Sequence, residues 1–415
     1  VNYEKLGDLI EIKHGFAFSS QHFQADGPYV LLTPGNFYEE GGFKLRADQK
    51  HYDGPVPAAF VLKPGDLLVA MTEQGEGLLG STAFVPDGKP CLHNQRLGLI
   101  TSKPEAAVNL RYIYYVLNWR NVRQQIRATS SGAKVRHTSP SRIYAVDIPK
   151  HCFETQCRIA GILGAYDNLI EVNQRRIAVL EEMARRLFTE WFTRLRFPGH
   201  EDVAIENTPD GPLPAGWTYD TLANVAAINA TSLRPASAPA EIGYIDIASV
   251  SPGRIDAINR MSFADAPGRA RRRVRDGSIL WSNVRPNRRS FALVLDPTPD
   301  IVASTGFTVL DAREATFAYL YQWVTTDEFV GYLVGNAQGA AYPAVTGATF
   351  ERAMVLLPPG DLVSRYTAFA EPTLRLADQL RKSNANLAAA RDLLLPRLMS
   401  GQLSVTEVER ELEAA

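Results

Sequence analysis

Apolar residues recur every three or four positions along two long stretches of the chain. Elsewhere the pattern shortens to brief apolar runs bounded by glycine, proline and aspartate. The first periodic stretch, from about residue 154 to 194, carries Ile159, Ile162, Tyr166, Leu169, Ile177, Leu180, Met183, Leu187 and Trp191. This is a narrow seam, as in a coiled coil, and not a broad face. Arg175, Arg176, Glu181, Glu182, Arg185 and Arg186 lie between, a solvated face able to pair at i,i+4. The second stretch, from about 362 to 399, repeats the seam with Tyr366, Ala370, Ala377, Leu380, Leu387, Leu394 and Leu398. Asn173 and Asn384 fall on or near the two seams, where a buried amide fixes register, and Pro396 is expected to kink or end the second helix. Two lone seams of this length bury each other, and a whole β-rich region lies between them, so an antiparallel helix pair is expected. At about 1.5 Å per residue, residues 162–192 would span roughly 46 Å.

The chain also repeats itself, with a period near 210 residues. "YEKLGDLIEI" from Tyr3 is answered by "YDTLANVAAI" from Tyr219, and "KPGDLLVAM" from Lys63 by "VRDGSILWS" from Val274. "STAFVPDG" corresponds to "SFALVLDP", and the aromatic segment "LRYIYYVLNWRNVRQQI" to "FAYLYQWVTTDEFVGYL". The polar loops "TSSGAKVRHTS" and "NAQGAAYPAVTG" follow, then the short strands "YAVDIP" and "AMVLLP", and each half closes with a periodic stretch. The expected fold is α+β: two similar β-rich domains separated by two long helices that form an antiparallel coiled coil, with pseudo-twofold internal duplication. The expected boundaries are 1–153, a central helix 154–200, a linker 201–215, 216–360, a second helix 361–403, and an acidic tail 404–415.

Composition narrows the class. The 415 residues are 45% hydrophobic and 21% charged, with a formal net charge of −1. That suits an ordinary globular protein of two or three domains and gives no global basic signature, so any nucleic-acid site must come from local clustering. Three cysteines, Cys91, Cys152 and Cys157, form no CxxC pair, which argues against a disulfide framework or a zinc knuckle. No apolar run reaches membrane-span length, and the charged first residues do not read as a signal peptide. A soluble cytoplasmic protein is expected.

Catalytic motifs are not recognisable. "GEGLLG", residues 75–80, formally matches GxGxxG, but strand-like "STAFVPDGKP" follows where a dinucleotide fold needs a helix. The seven histidines make no HExxH, and neither a phosphate-binding GxxxxGKS/T loop nor an Asn-Pro-Pro-aromatic methyltransferase site is present. Neither a metal nor a cofactor is expected in this chain. The clearest electrostatic feature is "RARRRVRDGSILWSNVRPNRR", residues 269–289, with eight arginines and one acid. Arginine pairs with phosphates and can read guanine with two hydrogen bonds. The DNA-contact candidates here are Arg271, Arg272, Arg273, Asn283, Arg285, Asn287, Arg288 and Arg289, with Trp281 interleaved and Gln338 and Tyr342 on the later loop. In the first half they are scattered: Lys13, His14, Lys44, Arg46, Lys50, Gln74, Asn94, Gln95, Arg96, Lys134, Arg136 and His137.

The duplicated layout resembles the DNA-specificity subunit of Type I restriction-modification enzymes. The segments that carry the resemblance are "GDLLVAMTEQGEGLLG", "SGAKVRHTSPSRIYAVDIP", "LPAGW", "LLLPRLMSGQL" and, most specifically, "NQRRIAVLEEMARRLFTEWF" from Asn173. The resemblance implies a non-catalytic chain with two target-recognition domains, each reading half of a split, asymmetric DNA sequence. It implies a helix pair that spaces them and docks two modification (adenine methyltransferase) subunits, with motor-nuclease restriction subunits joining. S-adenosylmethionine, ATP and Mg would belong to those partners. The rival expectation is a protein-only scaffold whose two modules bind other proteins.

Overall fold

The computed structural model describes residues 2–46, 48–74, 77–209, 211–313 and 316–414, with side chains through 411. Two compact units form: residues 1–171 together with 384–415, and residues 172–383.

In the first unit the apolar run Leu67–Ala70 is buried along its whole length, which makes it an inner strand. It sits in an antiparallel sheet of order Ile10–His14, Leu97–Ser102, Leu67–Ala70, Thr82–Phe84. A second sheet of short strands runs Phe23–Gln24, His51–Tyr52, Tyr29–Leu31, Cys91–Leu92, Val61–Leu62, and its Tyr29–Leu31/Cys91–Leu92 pair is parallel. The aromatic segment forms helices Leu110–Asn118 and Arg120–Ala128. Asn109 caps the first by accepting from the Tyr112 amide, and the buried Tyr112, Tyr115 and Val116 join the core.

The second unit repeats this plan, with four strands in place of five in its second sheet. Its first sheet runs Ala226–Ile228, Phe307–Ala312, Ile279–Ser282, Phe291–Leu293. The second runs Asn259–Ser262, Glu241–Ile245, Ile301–Ser304, Ala270–Arg273, again with one parallel pair, Glu241–Ile245/Ile301–Ser304. Thr218–Thr221 pairs antiparallel with Met354–Leu357, as Tyr3–Lys5 pairs with Asp147–Pro149. Thr316 and Thr326 cap helices Phe317–Trp323 and Asp327–Gly335. The duplication read from the sequence is therefore a duplication of topology, down to the position of the parallel pair.

Two long helices are present, Phe153–Phe188 and Gly360–Met399, and each contributes to both units. Within the first unit Asn384 donates to the Ile170 carbonyl at 3.2 Å and Arg391 pairs with Asp167 at 2.6 Å. Rising numbers on one helix meet falling numbers on the other, so the pair is antiparallel. Within the second unit Tyr366 donates to the Ala184 carbonyl at 3.1 Å, and Arg381 pairs with Glu181. Ile159, Ile162, Ile177, Tyr366, Ala370, Ala377 and Leu398 are buried, and Tyr166, Leu180, Leu187, Trp191, Leu380, Leu387 and Leu394 half-buried.

Three expectations change. Leu169 is 45% exposed, so it lies outside the helix–helix seam, and Met183 is exposed as well. The α-helix expected to reach residue 194 gives way at Thr189–Thr193 to a π-type turn. Pro396 does not end its helix, which runs on to Met399. Proline forfeits one N–H, but its carbonyl still accepts from the Ser400 amide at 3.0 Å. The acidic tail is helix Val405–Ala414, started by a reciprocal box in which the Glu407 amide reaches Ser404 Oγ and the Ser404 amide reaches the Glu407 carboxylate. Val405 and Val408 are buried in the first unit's core, and Arg158 pairs with Glu409. Of the glycine-rich stretch 75–80, residues 75 and 76 lie outside the described residues; past it comes strand Thr82–Phe84, not a helix.

Candidate nucleic-acid interface

In the first unit, strand Thr72–Glu73 pairs with Arg136–His137. Ser131 and His137 exchange backbone hydrogen bonds of 3.0 and 2.8 Å, closing a loop over residues 131–137. Gly132 turns that loop at φ +99°, and a Cβ there would meet the Val135 carbonyl at 2.0 Å, so glycine is required. Beside the loop lies a groove of about 770 Å³ that gathers Arg46, Gln74, Arg96 and His137 with Asn36, Gln49, Lys50 and Gln95. Arg46 is held by Asp48 through bonds of 2.8 and 2.7 Å. Scattered sequence candidates thus converge on one polar groove.

The segment that carries Gln74 is gripped from both sides. The buried Glu73 carboxylate accepts from the amides of Gly77 at 3.1 Å and Leu79 at 2.9 Å. Arg123, from helix Arg120–Ala128, donates to the carbonyls of Leu79 and Glu39, both at 2.8 Å, and of Gly77. Burial lowers the Arg123 guanidinium to about 10.

The remaining first-unit candidates do not line the groove. Lys13 donates to the Ala59 carbonyl at 2.7 Å and lies over the Phe60 ring, while its neighbour His14 is exposed. Lys44 covers the Tyr38 ring, Arg136 bonds to Ser130 Oγ at 3.3 Å, and Lys134 is exposed. Asn94 is no base reader: it is buried, and its side-chain oxygen accepts from the Arg96 amide at 3.0 Å, shaping the turn that presents Gln95 and Arg96.

In the second unit the arginine run is dispersed. Arg269 bonds to the Tyr244 hydroxyl at 3.0 Å and Asp246 at 2.8 Å, Arg275 pairs with Asp311 at 3.3 Å, and Arg289 pairs with Asp327. Arg271, Arg272 and Arg273 lie on strand Ala270–Arg273 and are half-buried. Arg271 stacks on Phe263, and burial lowers the Arg272 guanidinium from its ordinary value. Trp281, read as part of a nucleic-acid surface, is fully buried and donates its indole N–H to the Val324 carbonyl at 2.9 Å. Asn283 accepts from the Thr308 hydroxyl at 2.7 Å. The acids that take up the arginines are distant in sequence, which is why the run reads as one patch before folding.

What stays outward is the loop 285–289 and the loop packed on it. Asn287 and Arg288 are exposed, with no side-chain partner among the described residues. Gln338 and Ala344 exchange backbone bonds of 2.9 and 2.8 Å, with Gly339 at φ +101°, the counterpart of the 131–137 closure. Gln338 and Tyr342 are exposed on this loop.

Residues 1–182 match the family described as the Type I restriction modification DNA specificity domain. The specificity subunit of the Type I restriction enzyme MjaIX from Methanocaldococcus jannaschii is 21% identical over 313 residues, covering 74% of this chain and 72% of that protein. The Type I restriction-modification S subunit from M. genitalium superposes with a TM-score of 0.62 at 14% identity, covering 96% of both chains. The HsdS subunit from Thermoanaerobacter tengcongensis aligns over 97% of both chains at 16% identity, with a TM-score of 0.33.

The parts that sequence reasoning missed are the grips. Glu73 and Arg123 position the Gln74 segment, and Arg142 donates to Ser131 Oγ at 2.8 Å and to the His137 carbonyl. A signal existed in the repeat: Ser131/His137 and Gln338/Ala344 share the same six-residue offset around a glycine. Among the described residues no group of His, Cys, Asp or Glu could hold a metal ion, and no helix is long and apolar enough to cross a membrane.

Proposed function

We propose that this chain is the DNA sequence-specificity subunit of a Type I restriction-modification system, reading a bipartite, asymmetric target with one module per half. The family and the MjaIX relative both point to DNA specificity and to no catalytic family. The structural observation that carries the reading is the repeated platform: in each unit two loops lock together beside exposed polar or basic side chains. Residues 1–153 and 216–360 serve as the two target-recognition domains, and the long helices space them.

In this reading the groove residues Arg46, Gln74, Arg96 and His137 face one half-site. Arg285, Asn287, Arg288, Gln338 and Tyr342 face the other. Base edges are read by such side chains, while Lys13, Lys44 and Lys134 serve phosphates. The partners are duplex DNA, two modification subunits that bring S-adenosylmethionine, and restriction subunits that bring ATP and Mg, all in the cytoplasm. A protein-only scaffold is not favoured.

The test replaces residues 216–360 with the matching module of another specificity subunit and maps methylated adenines in the host genome. One half of the recognised sequence should change and the other persist. A change in both halves, or in neither, removes the modular reading.

A further inference from the structure

The loop 336–347 of the second unit contains no charged residue, while its counterpart in the first unit carries Lys134, Arg136 and His137. Whatever this loop's own side chains contribute to meeting a polyanion is not charge. At its tip stands Tyr342, 70% exposed. The ring is exposed yet fixed. The Arg285 amide donates to the Pro343 carbonyl at 2.7 Å, and the Arg285 guanidinium donates to the Ala341 carbonyl at 3.2 Å. Those carbonyls flank Tyr342 on either side, and the same guanidinium lies 4.7 Å from the ring centroid. Arg285 itself adopts φ +52°, a left-handed conformation that costs a non-glycine residue energy and persists only where its surroundings enforce it. The backbone exchange between Gln338 and Ala344 closes the loop beneath.

We propose that Tyr342 is a stacking wedge: its ring enters the base stack of duplex DNA at the half-site read by the second module and unstacks one step. Arg285 covers one face of the ring and leaves the other for a base. Side chains that insert between base steps kink the duplex at flexible steps, and base–aromatic stacking tolerates many sequences. The second module therefore adds a reading of DNA deformability to its arginine contacts. This rests on the DNA-specificity reading above.

The test uses the full chain and duplexes that it selects from a randomised pool. Unstacked thymines are read by permanganate, and unstacked adenine positions by 2-aminopurine fluorescence. Wild type should give a reactive position in only one of the two half-sites. Tyr342→Ala should abolish it and weaken binding about tenfold, the order expected for one lost base–aromatic stack. Tyr342→Phe should keep both, and Lys134→Ala should keep the reactive position while lowering the salt dependence of binding. Selected duplexes that stay fully stacked, or a Tyr342→Ala chain that still unstacks them, overturn the wedge and leave the DNA reading intact. Failure to select any duplex overturns both. A Tyr342→Ala chain that binds and unstacks DNA as wild type but loses a modification subunit assigns the ring to a protein contact instead.

Discussion

The two modules share a topology and hold their presenting loops by opposite electrostatic means. In the first, the second short helix sends a half-buried arginine, Arg123, onto the carbonyls of the segment after Glu73, whose carboxylate takes the amides. In the second, the equivalent helix begins with Asp327, and the loop supplies Arg289. One grip is half-buried and binds backbone; the other is an exposed ion pair. Duplication preserved the place of the clamp and let its chemistry invert, so the loops between can diverge without moving.

The largest effect expected within this comparison is at Trp281, buried among Phe291, Phe329 and Phe350. Trp281→Ala should cost about 3–5 kcal/mol. If the units fold independently, hydrogen exchange will show protection lost in residues 172–383 and retained in 1–171. Loss in both would show that the modules melt together.

A second effect belongs to the first module. His93 is buried, with Nε2 on the Leu97 carbonyl at 2.9 Å and Nδ1 without a partner. Burial pushes it down from 6.5 to about 4. The unfolded chain thus binds this proton more readily than the folded one. The stability that His93 contributes is present above pH 6.5 and is lost as pH falls towards 4, by about 3 kcal/mol at most. Every histidine buried among the described residues is this one, so the second module should lack that loss. Unfolding midpoints followed module by module between pH 7 and 4 check it; His93→Gln should flatten the first module's slope.

The smallest effects concern the grips. Arg123→Ala strands three carbonyls and should cost about 1–3 kcal/mol, with faster amide exchange at Gly77 and Leu79. Asp327→Ala removes only a solvent-exposed partner. It should leave the 285–289 loop nearly as protected as before, because Arg285 is still bonded to the neighbouring loop. Equal responses to the two substitutions would mean that the clamps are not chemically inverted.

The seams and the repeat were legible because each rests on local periodicity. Ile159, Ile177, Tyr366 and Leu398 fall inside as the spacing requires, and even the parallel strand pair recurs at the same place in each half. Leu169 departs because a three-to-four spacing over many turns cannot tell which residue drifts off the contact line. The site was legible only in part. Arg46, Gln74, Arg96 and His137 are far apart in sequence, and only the sheet brings them to one groove. The arginine run misled in the other direction: Asp246, Asp311 and Asp327 neutralise members of it from positions that no window contains. Trp281 was read as surface because an aromatic amid arginines looks like a stacking platform, when strand Ile279–Ser282 is buried throughout.

The first unit is assembled from residues 1–171 and 384–415, and helix Val405–Ala414 closes its core through Val405 and Val408. During translation that module must therefore wait for some two hundred further residues, a delay of about 10–40 s at ordinary elongation rates. The later-made module, complete within 172–383, has all its parts on hand sooner. Maturation should run against the direction of synthesis, leaving the amino-terminal module the last to become resistant to protease.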